Sequence, residues 1–158
     1  MREILFRGKA ANRNPNREYR TKYKNGDWVY GLLTDVENYA GFSEMTNTAG
    51  VSGIEVDKNT VGQFTGLVDK NDTKIFEGDV FQLEDDMFGV VVFQDGCFKL
   101  EEYGFSGTWT ESGYDESGGE WGIIECEPLD FWYVNKLEIA DNIHDNAELL
   151  EVINNGLR

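Results

Sequence analysis

The chain holds one histidine, two prolines and two cysteines, and beyond residue 24 only six lysines and arginines. Each scarcity excludes something. His144 would need partners brought from elsewhere in the chain to act as a general acid or metal ligand, so it reads as structural or solvent-facing. Two prolines against eighteen glycines mean many turns and no long rigid linker. Cys97 and Cys126 stand too far apart for a metal motif. They read as reduced, largely buried thiols of a cytosolic protein, with a disulfide or redox pair as the alternative. No apolar run approaches the roughly 18 residues of a membrane span. The first residues offer no apolar stretch of signal-peptide length, so a cytoplasmic protein is expected. No Gly-rich phosphate loop, Ser-His-Asp set or Cys-His pair occurs, and the expectation is a protein that is not an enzyme and takes no cofactor.

What is present is acid and aromatic. The net charge is −16, unevenly spread. Residues 1–24 carry eight bases against Glu3 and Glu18, a net of +6, which leaves 28 acids and six bases, a net of −22, for the other 134 residues. So acidic a body repels nucleic-acid phosphates, and nucleic acid is not the expected partner. The asymmetry also permits a contact between copies, the basic arm at 9–24 of one meeting the acidic body of another. A solvated arm is the plainer reading. At 13% aromatic and 40% hydrophobic, the chain is long enough to bury a core as one domain over 1–158.

Period-two alternation predicts strands at 3–7 and, after the Asn25-Gly26 turn, at 27–33, where Gly31 marks a bulge or a close backbone approach. Residues 35–51 lack a pattern and read as a surface loop. Short strands are predicted at 54–56, 61–64, 78–83 and 88–93, with Asp95-Gly96 as a two-residue hairpin into 97–103. Residues 104–120, with five glycines, three serines and four acids, read as a flexible loop that carries Trp109 and Tyr114. Strands at 121–126 and 131–139 follow. A short C-terminal helix over 148–153 takes Asn146 or Asp145 as its cap and Gly156 as its end, with Leu149, Leu150 and Ile153 on its apolar face. The fold expected is mainly β, an SH3-like roll or small partly open β-barrel with a glycine-rich acidic loop and that helix.

The densest stretch is 61–80. Thr65-Gly66-Leu67-Val68-Asp69-Lys70-Asn71, followed by Ile75-Phe76-Glu77-Gly78-Asp79-Val80, resembles the signature of the YopX-like proteins of phages and prophages. The opening Met1-Arg2-Glu3-Ile4-Leu5-Phe6-Arg7, the stretch Asn25 to Gly31, and the closing Asn142-Ile143-His144-Asp145-Asn146 with Leu149-Leu150 agree with it. Two positions depart from the pattern. Asp72 stands where the family usually has Gly, at a cost of about 1 kcal/mol if the backbone there is left-handed, and Ala147 stands where Pro is usual. The resemblance implies an SH3-like roll, a phage or prophage setting in a bacterial host cell and a self-associating habit, and it implies no activity.

Within the signature, Asp69, Lys70 and Asn71 read as turn chemistry, with Asp69 accepting backbone N–H groups and Lys70 exposed. Glu77 and Asp79, with Glu84, Asp85 and Asp86 close by, have the alternative of a divalent-cation site for phosphoryl chemistry, but the Gly78 between them favours a strand-entry turn. Thr65, Gly66, Leu67 and Ile75 complete a set expected to be structural. Trp28, Tyr30, Phe64, Phe76, Phe81 and Phe93 are either core or a peptide groove, core being the simpler account. The expected function is therefore a non-catalytic, homo-oligomeric interaction protein that binds an unidentified host or phage protein away from membranes. The alternative is an acidic decoy that presents carboxylates as DNA presents phosphates.

Overall fold

In the computed structural model, which describes residues 3–11, 23–34, 48–84 and 87–156, the alternating apolar positions form antiparallel strands. Where one domain is expected, the chain's contacts gather in two compact units, Met1–Gly66 and Leu67–Arg158.

The first unit contains β1 (Phe6–Lys9), β2 (Trp28–Gly31), β3 (Leu33–Thr34), β4 (Thr48–Val51), β5 (Ile54–Asp57), a single 3-10 turn (Lys58–Thr60) and most of β6 (Gly62–Val68). β1 pairs antiparallel with β2 and β6, and β3, β4 and β5 form a meander. Val29, Val51 and Val56 are fully buried beside Ala10. The strand expected at 3–7 starts instead at Phe6, where pairing with Gly31 begins, and Ile4 is 57% exposed. Register to a neighbour overrides alternation there. At Gly31 a close approach is found: a Cβ would strike Ser52, whose hydroxyl donates to the Tyr30 carbonyl at 3.3 Å. The loop expected at 35–51 is corrected at its end, because Thr48–Val51 is a strand held on both sides by β3 and β5; 35–47 lie outside the described residues. The expected arm is likewise corrected at its start. Lys9 belongs to β1 and Ala10 bridges to Val56, while 12–22 lie outside the described residues.

The second unit contains β7 (Lys74–Phe76), β8 (Asp79–Glu84), β9 (Met87–Gln94), β10 (Cys97–Thr110), β11 (Gly113–Pro128), α1 (Phe131–Val134), β12 (Ile139–Asn142) and α2 (Ala147–Gly156). Five strands make one sheet in the order β11-β10-β9-β8-β12. Asp95 and Gly96 both have positive φ (52° and 81°), the conformation of a two-residue type I′ hairpin. Alternation along β8, β9 and β10 sends side chains to two cores. One gathers Ile75, Phe81, Val91 and Leu100 with Val134 of α1. The other gathers Val80, Phe88, Val90 and Tyr103 with Ile153 of α2. Each such burial contributes about 1.5–3 kcal/mol. A four-residue helix turn and a ten-residue helix have no stability of their own. These contacts hold them. Among the described residues the sheets are open and none closes into a barrel, and no helix is long and apolar enough to cross a membrane.

Two sequence expectations are overturned here. Residues 104–120 are not a loop: β10 and β11 pair from Lys99 opposite Pro128 to Thr110 opposite Gly113, with register shifts at Glu102/Tyr103 and Ser106/Thr108. A glycine in this stretch serves packing across the ribbon, since a Cβ at Gly104 would lie 2.5 Å from Ile124 Cδ1. The side chains of Trp109 and Tyr114 lie outside the described residues. Second, 131–139 is not a strand. Phe131–Val134 forms α1 because Asp130, extended at φ −103°, caps it and its carboxylate accepts the Trp132 N–H at 2.7 Å. Only Ile139 at the end of that stretch enters a strand, β12, beside β8. The C-terminal helix is α2, capped by Asn146, whose Oδ1 accepts the Leu149 N–H at 3.0 Å. Leu149 and Ile153 face the sheet, while Leu150 is 37% exposed.

Candidate functional site

Two carboxylates of the signature are buried. Asp69 is 2% exposed and opens a turn in which its N–H donates to the Thr73 carbonyl at 2.9 Å. Its Oδ1 accepts the N–H groups of Asn71 (2.8 Å) and Thr73 (2.9 Å), and its Oδ2 accepts that of Ile139 at 3.2 Å. Asp72 sits at φ 61°. The turn therefore keeps its left-handed residue although the side chain is not glycine. Lys70 adds two ties to the same neighbour: its N–H donates to Leu137 O at 2.9 Å, and its Nζ pairs with Glu138 at 2.6 Å on the surface. The central turn is thus fastened to the segment that leads into β12.

Asp79, also 2% exposed, closes the next turn. Its Oδ2 accepts the Phe76 N–H at 2.7 Å, and its Oδ1 accepts Asn142 Nδ2 at 3.2 Å. Gly78 lies at φ 87°, a left-handed conformation that favours glycine, with Asn142 Nδ2 in tight contact 3.3 Å from where a Cβ would stand. From Asn142 the network runs on. Its Oδ1 accepts the His144 N–H at 2.9 Å, its own N–H donates to Asp141 Oδ1 at 2.8 Å, and Asp141 Oδ2 accepts Asn146 Nδ2 at 2.7 Å. Asn146 then caps α2. One chain of hydrogen bonds joins the signature at Asp79 to the start of the C-terminal helix.

Burial alone would raise the Asp69 carboxyl pKa. The backbone donors of Thr73, Ile139 and Asn71, helped by the Thr73 side chain, outweigh it and hold the group below the ordinary value. An acid held ionised and saturated with donors is a poor proton shuttle. Among the described residues no three His, Cys, Asp or Glu side chains are grouped as a metal would require; Asp85 and Asp86 lie outside them. Glu77 is half-buried in the turn. Thr65 is buried in β6, Gly66 takes φ 90° there, and Leu67 and Ile75 pack in the core below α1. Cys97 and Cys126 are free, half-buried thiols, and burial, then Glu101, pushes the Cys126 thiol up.

Of the six aromatics weighed as groove or core, Phe64, Phe76 and Phe81 are buried and Tyr30 and Phe93 are about half exposed. Trp28, in the first unit, lies under the Arg7 guanidinium at 4.6 Å. The larger exposed group lies where the sequence predicts a strand: Phe131, Trp132 and Tyr133 on α1 are 45%, 74% and 43% exposed. The sequence did carry a sign of them. Asp130 before three unalternating aromatics is a cap followed by a run with no strand period.

The family model described as YopX protein matches residues 15–151, which takes in both carboxylates, both turns and Asn146. No curated protein matches the chain.

Proposed function

This chain belongs to the YopX family, and on that footing we propose that it is a non-catalytic, self-associating interaction protein of phage or prophage origin that works in the host cytoplasm by binding a host or phage protein. The SH3-like roll belongs to the same proposal, supported by the antiparallel pairing of the strands and the hairpin at Asp95-Gly96. The observation that carries the reading is the use made of the signature. Asp69 and Asp79 give their oxygens to backbone and amide donors inside the fold, while three aromatic side chains of α1 are turned to solvent. Chemistry is spent inward and contact area is offered outward.

The test is capture from host lysate by tagged protein at low salt and at 0.5 M salt, with the protein's mass in solution measured alongside. One protein partner held at both salts, with a mass above that of one chain, is the expected result. A monomer that captures nothing would reject the reading. The acidic decoy has one observation in its favour, the carboxylates Glu102, Glu125 and Glu127, which fall on one face of the paired strands β10 and β11. It predicts instead a DNA-binding protein that is captured at low salt and released at high salt.

A further inference from the structure

Three side chains of one four-residue helix stand out from the second unit, and only Val134 of α1 is buried. Phe131 and Trp132 are in edge contact, with ring centroids 5.5 Å apart, so they present one joined apolar surface. Solvated surfaces seldom hold a tryptophan 74% exposed beside two more aromatics, whereas the centres of protein interfaces are rich in them.

Lys136 is exposed just past α1, but the paired strands β10 and β11 beside this surface bring carboxylates together. Glu102 and Glu125 lie directly opposite in the β10–β11 register, an arrangement that destabilises a sheet. Burial and then Glu125 push the Glu102 carboxyl up. Glu102 stands two residues along β10 from Leu100, on the sheet face where Leu100 packs with Val134 of α1, and Tyr133 is pushed up by burial and then by the charges of Glu102, Glu125 and Glu84. Among the described residues none of these three glutamates is paired with a cation.

We propose that the aromatic face of α1, with Glu84, Glu102 and Glu125 at its margin, is the docking surface for a segment of a partner protein that carries arginine beside leucine-like residues. This rests on the interaction-protein reading and names its surface and partner. Apolar side chains cover Phe131 and Trp132. A guanidinium lies against the Trp132 ring and donates to the glutamates, relieving their mutual repulsion. Nucleic acid is excluded by sign. The chain's own basic stretch, 9–24, supplies charge but contains no Leu, Ile, Val, Met or Phe, so it lacks the apolar half of the match.

The probe is a fluorescein-labelled hexapeptide of alternating arginine and leucine, titrated into the full chain at several salt concentrations. Native protein binds it. Trp132→Ala weakens binding by about tenfold or more, and Glu102→Gln/Glu125→Gln weakens it and flattens its salt dependence. Glu148→Gln/Glu151→Gln, on exposed positions of α2 with the same change of charge, leaves it unaltered. Thermal melting of each variant shows that the fold is kept. Failure of native protein to bind, equal loss in the α2 control, or displacement at equal affinity by a peptide of residues 9–24 would each overturn the proposal. Trp132→Ala is also carried through the lysate capture. A partner lost with this variant supports the surface. A partner still held rejects the surface but leaves the interaction-protein reading intact, and capture of nothing by native protein as a monomer rejects that reading itself.

Discussion

Asp69→Ala removes the acceptor of three backbone N–H groups at once, those of Asn71, Thr73 and Ile139. A hydrogen bond to a charged group contributes about 1.5–3 kcal/mol where water cannot replace it. Asn71 and Thr73 are exposed and regain water on mutation, so they count little; the Ile139 bond and the lost order of the turn count most. The expected loss is about 3 kcal/mol, a fall in melting temperature of roughly 6–12 °C for a chain of this size. Asp69→Asn keeps one acceptor oxygen and should lose about half as much. The pH dependence separates this account from a simple loss of packing. The Asp69 pKa is depressed in the folded protein, so its stabilisation is complete above the ordinary value of 3.8 and is lost as pH falls through the folded value. The difference between native and Asp69→Ala melting temperatures should therefore be constant near neutrality and shrink in acid below 3.8. Urea denaturation followed by fluorescence, at pH 7 and across the acid range, measures both. A loss below about 1 kcal/mol, or a difference that does not narrow in acid, would refute the view that this carboxylate fastens the turn to the segment before β12.

Two further outcomes follow from the same network. Asp72→Gly relieves a left-handed residue and should stabilise the fold by about 0.5–1 kcal/mol; a lower midpoint in denaturant would mean that the Asp72 side chain makes a compensating contact. Asn146→Ala removes the α2 cap at Leu149 and the bond to Asp141 and should cost about 1–2 kcal/mol. Amide exchange should quicken in α2 before it does in β9 and β10, and uniform quickening would show that the helix is not a separate opening unit.

Local residues were readable wherever the chemistry is local. Asn25-Gly26, Asp95-Gly96 and Asp69 each specify a turn because the needed positive φ or side-chain acceptor lies within four residues, and Asn146 specifies a helix start for the same reason. The 104–120 stretch misled because glycine and serine record weak strand propensity, and no short window shows that β10 and β11 run side by side. The Phe131 run misled in the opposite sense. Aromatics favour strands, but burial of Val134 alone and the Asp130 cap turn the same residues into α1.

By itself the sequence determined the acidic body, the mainly β class, the turns and the signature, because charge, period and glycine conformation are properties of neighbours along the chain. The tertiary structure alone decided that Asp69 reaches Ile139, seventy residues away, that Asp79 reaches Asn142, and that Glu102 faces Glu125 beside three outward aromatics. Those pairings depend on strand register and on which face each element buries, and both are set only when distant segments compete for the same core.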